Sequence, residues 1–254
     1  MIKFFRKIRY ELMENKTGKP AYRTGRYFKY AIGEIVLVVI GILIAIQLNE
    51  WRNDIVNTKQ KQKVLLALKT DFEENLTRLD TVYYHQEKSL LKFVKSKNLI
   101  DSINYVTDNT VFKENLGHGG YAYSFSPING ALRSAISSGD IHLINGERLT
   151  KLLFSWEDLV IDSYEEVELL RSYGTDPYVR LINSYVQARE LGKKSPNRNG
   201  SKHLSNFVGL FNDPLFENYN QQMIYYAYNY MKELKVIRIN NLEIVELIEQ
   251  ELKK

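Results

Sequence analysis

The chain has 254 residues, room for one sizeable domain of about 100–200 residues plus a further segment. Its 35 Lys and Arg against 30 Asp and Glu leave a formal +5, and the excess is local: residues 1–29 hold nine basic and two acidic side chains, while the other 225 residues net −2. That distribution is a topology signal rather than a nucleic-acid surface, and the absence of cysteine excludes disulfide frameworks, thiolate zinc sites, cysteine nucleophiles and an acyl-cysteine lipid anchor.

Residues 1–29 read as a cytoplasmic basic tail. In MIKFFRKIRYELM, Ile2, Phe5, Ile8 and Leu12 share one helical face and Lys3, Arg6, Lys7 and Arg9 lie mostly on the other, the pattern of a helix resting on an anionic leaflet. Gly18, Pro20 and Gly25 then interrupt the pattern.

Residues 30–48, YAIGEIVLVVIGILIAIQL, contain only Glu34 and Gln47 as strongly polar members. A helix of this length rises about 28 Å, close to the roughly 30 Å hydrocarbon core of a bilayer. The competing reading is the buried helix of a soluble protein, because the run free of polar residues, Ile35 to Ile46, is short. Three features favour a transmembrane helix: the stretch is apolar all round, Tyr27, Phe28 and Tyr30 flank one end with Trp51 at the other, and the basic excess lies on one side. Positive flanks stay cytoplasmic, so the expected topology is a single-pass, uncleaved signal-anchor in the inner membrane, with the N-terminus inside and the C-terminal domain periplasmic. Arg52, Lys59, Lys61 and Lys63 follow the span, so the asymmetry is strong without being total.

Within the span, Gly33, Gly41 and Ala45 line one face with Leu37, where small residues let two helices approach closely. Self-association into a homo-oligomer is one reading, and ordinary tolerance of glycine in membrane helices is the other. Glu34 lies about one turn inside the cytoplasmic end, and its carboxylate either reaches headgroup water or makes a polar contact with a partner helix.

Residues 49–97 predict a long juxtamembrane amphipathic helix. There is no Pro or Gly from Asn53 to Lys97, and Leu65, Leu68, Phe72, Leu76, Leu79, Tyr83, Leu90 and Val94 recur at helical intervals. Their spacing averages nearer about 3.6 than about 3.5 residues, which predicts one face packed on a domain rather than a sustained coiled coil.

Residues 98–254 predict the remainder of the extracytoplasmic helical domain. The pattern lapses over 98–126, where LIDSINYVTDNTVF suits extended chain and ENLGHGGYAYSFS a glycine-rich loop. Ser126 and Pro127 then predict a helix start, with its end at Gly139. Asn145 predicts the cap of a helix running to about Tyr173, Asp176 and Pro177 the start of another that stops at Gly192, and Asp213 with Pro214 the start of a fourth. Asn240 with Glu243 predicts a capping box opening a last helix that ends at Leu252. The expected fold is all-α: one transmembrane helix, a long amphipathic helix and a helical-bundle outer domain of about five or six helices.

The segment KYAIGEIVLVVIGILIAIQLNEW, residues 29–51, resembles an uncharacterised family of small membrane proteins common in Bacteroidota. That family has a basic opening like MIKFFRKIR, a nearly fixed segment matched by Gly33 to Ala45, and a long charged helix after it. NGALRSAISSGDIHLINGERLTKLL, residues 129–153, resembles its second hallmark, with Ser138, Gly139 and Ile144 in place and Leu132 and Arg133 departing from a more tyrosine-like helix. The C-terminal LEIVELIEQELKK is similar too. The resemblance implies location and a helical outer domain; it implies no activity and no catalytic residues.

Chemistry is sparse. His85, His118, His142 and His203 form no close-spaced ligand set. Asp140 and His142 stand two apart in a connecting turn and are candidate binding residues, either for a metal completed by a distant carboxylate or simply as a turn cap and a solvated imidazole. GHGG at 117–120 exposes backbone amides suited to an anion but lacks the strand and lysine of a P-loop. Glu73 with Glu74, and Glu165, Glu166 and Glu168, are paired carboxylates of the kind that exposed helix faces carry, with acid-base use requiring a cleft. The loop GKKSPNRNGSK offers Lys193, Lys194 and Arg198 to an anionic envelope polymer or headgroup, or is a solvated loop. In YNQQMIYYAYNYM the expected packed face is Ile224, Ala227, Tyr228 and Met231, with an aromatic recognition surface as the other reading.

The sequence therefore predicts a membrane-anchored, non-enzymatic interaction or sensory module, with a membrane-tethered hydrolase-like enzyme using a helical cleft as the alternative. The expected partners are the lipid bilayer, a second copy through the span and an envelope protein; no nucleic acid, metal or cofactor is expected.

Overall fold

The computed structural model describes residues 23–102, 109–116, 122–191 and 201–253, with side chains from Ala31 onward. Every regular element among them is helical: α1 Arg23–Asp101, α2 Asn109–Asn115, α3 Gly130–Ser138, a 3-10 turn Asp140–Leu143, α4 Glu147–Tyr173, a π turn Gly174–Tyr178, α5 Val179–Tyr185, α6 Ala188–Leu191, α7 Phe207–Phe211 and α8 Pro214–Leu252. The chain divides into two compact units, one up to Asn57 and the other from Thr58. The basic tail's amphipathic pattern lies outside the described residues.

In the first unit, one stretch of α1 is long and apolar enough to cross a membrane by length and composition, and none of that stretch is buried. Ile35, Leu37, Val39, Ile42, Leu43 and Ile46 are all exposed. Burying each such side chain is worth about 1.5–3 kcal/mol, so this helix is unlike the core helix of a water-soluble protein, whose apolar side chains are covered.

The second unit is built on three long helices. On α1 the buried positions are Val64, Leu65, Leu68, Phe72, Asn75, Leu79, Gln86, Phe93, Ser96 and Leu99. From Leu65 on, these steps of three, four and seven follow a heptad seam more closely than the apolar residues alone predict, because the seam includes Asn75, Gln86 and Ser96, while Leu76, Tyr83, Leu90 and Val94 are only half-buried beside it. α8 supplies the facing seam with Tyr230, Leu234, Ile237, Asn241, Ile244, Ile248 and Glu251.

Ion pairs give the direction. Lys61 meets Glu251 at 2.6 Å, Lys69 meets Glu249 at 2.7 Å and Arg238 meets Asp80 at 2.7 Å, so α8 runs antiparallel to α1. α4 is also antiparallel to α8, with Arg148 on Glu243 at one end and Tyr173 edge-on to Tyr219 and Tyr226 at the other. Trp156 of α4 stands edge-on to Phe72 of α1 with ring centroids 5.0 Å apart and closes the core between the three helices.

Several helix boundaries differ from those expected. α8 runs unbroken from Pro214 to Leu252, with no new helix at Asn240. There Asn240 donates to the Val236 carbonyl and Glu243 receives Arg148, so neither residue of the capping signature is free to cap, and the buried seam continues straight through. Asp213 and Pro214 do start that helix, the Asp213 carboxylate accepting from the Leu215 N–H at 2.8 Å.

Asp176 and Pro177 do not start a helix: α4 passes through the π turn into α5, the widened turn accommodating a proline that has no N–H to donate. Buried Tyr178 in that turn donates to Asn220, whose amide donates to the Phe93 carbonyl, tying all three long helices together. α4 itself starts at Glu147, with Gly146 rather than Asn145 at the cap.

Ser126 and Pro127 likewise lie outside α3, which begins at Gly130 and is capped from outside, the Asp71 carboxylate accepting from the Ala131 N–H. Its end at Gly139 is as expected, with φ of 79° in the left-handed region that glycine adopts without strain. In the tyrosine-rich stretch, Met223, Ala227, Tyr230 and Met231 are buried and Ile224 half-buried, while Tyr228 faces outward beneath Lys232.

Candidate functional site

Residues 122–129 join α2 to α3 without forming helix or strand, which leaves their backbone groups in need of partners. Side chains from the long helices supply them. Gln86 accepts from the Tyr123 N–H, the Tyr230 hydroxyl donates to the Tyr123 carbonyl and accepts from the Phe125 N–H, and Asn75 both accepts from and donates to Ile128. Trp156 donates its indole N–H to Asn129 at 3.0 Å. The segment is thus a strap pinned across the bundle by buried polar seam residues. Burial pushes the Tyr230 phenol well above its ordinary value, so it stays a donor. His85 of α1 stacks on the outer side of Tyr123.

Beside the strap lies an open groove of about 510 Å³, lined by Ser124 on one side and by Ile161, Tyr164, Glu165, Val167, Glu168 and Arg171 of α4 on the other. Ile161 is 56% exposed. Glu168 pairs with Arg171 at 3.1 Å, and Glu165 has no ion-pair partner among the described residues. A second, smaller hollow of about 220 Å³ is formed by Lys95, Asn98, Leu99, Ser102 and Asn115. Among the described residues no group of three or more His, Asp or Glu side chains is placed to hold a metal ion.

The residues singled out from the sequence lie elsewhere. Asp140 accepts hydrogen bonds from Gln60 at 2.8 Å and Ser138 at 2.8 Å; these bonds, with Lys63 nearby, hold its carboxyl below its ordinary value. It ties the 3-10 turn to α1, close to where Lys61 meets Glu251, and His142 is exposed next to it. Gly33, Gly41, Ala45 and Glu34 are exposed on α1, and a Cβ added at Gly33 or Gly41 would meet nothing within 4 Å. Lys193, Lys194 and Arg198, and the GHGG loop, lie outside the described residues.

Sequence periodicity missed the strap and its anchors because Asn75 and Gln86 read as polar interruptions of an apolar stripe. Glu165 and Glu168 were visible as an acidic pair. Their place beside Ile161, Tyr164 and the strap was not, since Ser124 reaches them through the fold.

A model of a family of unknown function (DUF6090) matches residues 34–166, from within the apolar stretch of α1 to late in α4. No curated protein and no solved structure matches the chain.

Proposed function

The chain belongs to the DUF6090 family of unknown function, and on that premise we propose that it is a membrane-anchored, non-enzymatic interaction or sensory module. Residues 30–48 cross the inner membrane once, the basic tail stays in the cytoplasm and the bundle from Thr58 onward works in the periplasm. The observation that carries this reading is the apolar stretch of α1, uncovered around its whole circumference, next to a tail with nine basic residues. Only a surrounding medium that is itself apolar covers such a surface, and positive flanks are retained in the cytoplasm. In this reading, what the bundle detects is passed on through a partner protein.

The test uses the full chain with an epitope tag after Lys254. In intact spheroplasts external protease should remove the tag without permeabilisation, and alkaline carbonate should leave the protein in the membrane pellet. A protected tag, or release by carbonate, overturns the topology. Photo-crosslinkers placed on exposed positions of α4 and α8 should yield a discrete adduct with another polypeptide; monomer alone from every position overturns the interaction reading.

A further inference from the structure

Between Lys151 and Arg171, α4 carries Glu157, Asp158, Asp162, Glu165, Glu166 and Glu168 and no basic residue. Glu157 is paired with Arg133 and Glu168 with Arg171, while Asp158, Asp162 and Glu165 have no ion-pair partner among the described residues. With about 3.6 residues per turn, Asp158, Ile161 and Glu165 project from one side of the helix, so an aliphatic residue sits between two unpaired carboxylates. Ile161, Tyr164 and Val167 give the groove an apolar wall of α4, and Ser124 faces them from the strap. The neighbouring strap residues have their backbone groups taken by Gln86, Tyr230 and Asn75, but the Ser124 N–H and C=O make no hydrogen bond among the described residues.

We propose that this groove and the acidic face of α4 beside it bind a cationic polypeptide segment of a partner protein, with lysine or arginine side chains meeting Glu165 at the groove and Asp162 and Asp158 on the adjoining face, an aliphatic side chain against Ile161 and Tyr164, and main chain pairing with Ser124. The inference rests on the interaction-module reading and names the chemistry of the partner. Charge decides the class. Asp158 with Asp162 and Asp162 with Glu165 stand four and three residues apart on one helix, neighbours at roughly 5–6 Å between Cβ atoms and so within the Debye length of about 8 Å, and their fields add to attract a basic segment and repel anionic lipid and nucleic acid alike. The apolar wall supplies contact energy that charge alone would not, and a backbone donor and acceptor at one wall suit a peptide better than a simple cation.

The experiment uses the full chain in micelles of an uncharged detergent, with fluorescence anisotropy of two labelled peptides, one alternating lysine and valine and the other glutamate and valine. The lysine peptide should bind and weaken as salt rises, and the glutamate peptide should not bind. The double variant D162N/E165Q should weaken binding roughly tenfold or more, Ile161→Arg should do the same, and Glu87→Gln, an exposed carboxylate on α1, should change nothing. Unchanged helical circular dichroism and melting midpoint in each variant keep folding out of the result. Equal binding of both peptides, no binding of the lysine peptide, or binding indifferent to the groove variants overturns the proposal. If crosslinked adducts persist in D162N/E165Q while the peptide does not bind, the groove is wrong and the interaction module stands.

Discussion

Two stretches of the same helix, residues 31–48 and 64–99 of α1, use similar apolar side chains to opposite ends. In the first, apolar residues occupy the whole circumference and Leu43 is 55% exposed; in the second they keep to one face and Leu68 is fully buried. One-sided patterning requires protein partners, and α4 and α8 provide them with Trp156, Leu234 and Ile237. All-round patterning leaves no face for water. The polar residues differ as well: the apolar stretch has almost none, whereas the bundle seam buries Asn75, Gln86, Ser96 and Asn241. Asn75 and Gln86 serve the strap and Ser96 the end of α2, so the bundle uses internal polarity to hold the chain between its long helices in place.

The sharpest way to break this comparison is one substitution made in both stretches. Leu68→Ala should lower the stability of the bundle by about 2–5 kcal/mol in chemical denaturation of the micelle-bound protein, and Leu43→Ala should leave the midpoint unchanged. Equal effects would mean that the exposed stretch is covered by the bundle after all.

Next in size is Tyr230→Phe. It removes the hydroxyl shared by the Tyr123 carbonyl and the Phe125 N–H, and should cost about 1–3 kcal/mol with faster amide exchange at Phe125. Exchange unchanged at that amide would show that the strap is held by something else.

Asn241 should move stability the other way. Both its side-chain polar atoms are buried without a hydrogen-bond partner among the described residues, so Asn241→Leu, with the same branched arrangement of heavy atoms, should raise stability by about 1–2 kcal/mol. A loss instead would give the amide a structural role.

The smallest effect concerns acid. Hydrogen bonds from Arg148 and Lys69 hold Glu243 and Glu249 below their ordinary values, and Gln60 does the same for Asp140. Groups with folded values depressed below the unfolded ones contribute stability above about pH 4–5 and lose it as pH falls through the folded value. All three are only half-buried and reached by solvent, so the melting midpoint should be nearly flat from pH 8 to 5 and decline only below about pH 4, and Arg148→Ala should flatten that decline slightly. An earlier fall would implicate another group.

Much of the architecture was legible along the chain. The apolar stretch, the helical content, the start at Asp213 and Pro214, and the stop at Gly139 all follow from local rules: composition, a carboxylate cap, a proline that needs no donor and a glycine that adopts positive φ. The misread boundaries share one cause. At Ser126, Asp176 and Asn240 the local signal was present, but the partner that settles the outcome came from another helix: Asp71 of α1 caps α3, Asn220 of α8 holds Tyr178 of the π turn, and Arg148 of α4 takes Glu243 away from the role of a cap.

The groove was less legible than the fold. Its carboxylates stood out as a run on α4, yet such runs are common on solvated faces, and only the strap sets Ser124 beside them. The sequence by itself determined which segments are helical and which stretch is too apolar for water, because both depend on near neighbours along the chain. Tertiary structure decided which polar residues are buried, where helices continue past their apparent caps and which faces form a groove, because each depends on atoms brought close from distant parts of the chain, as Asn75 is to Ile128 and Tyr230 to Phe125.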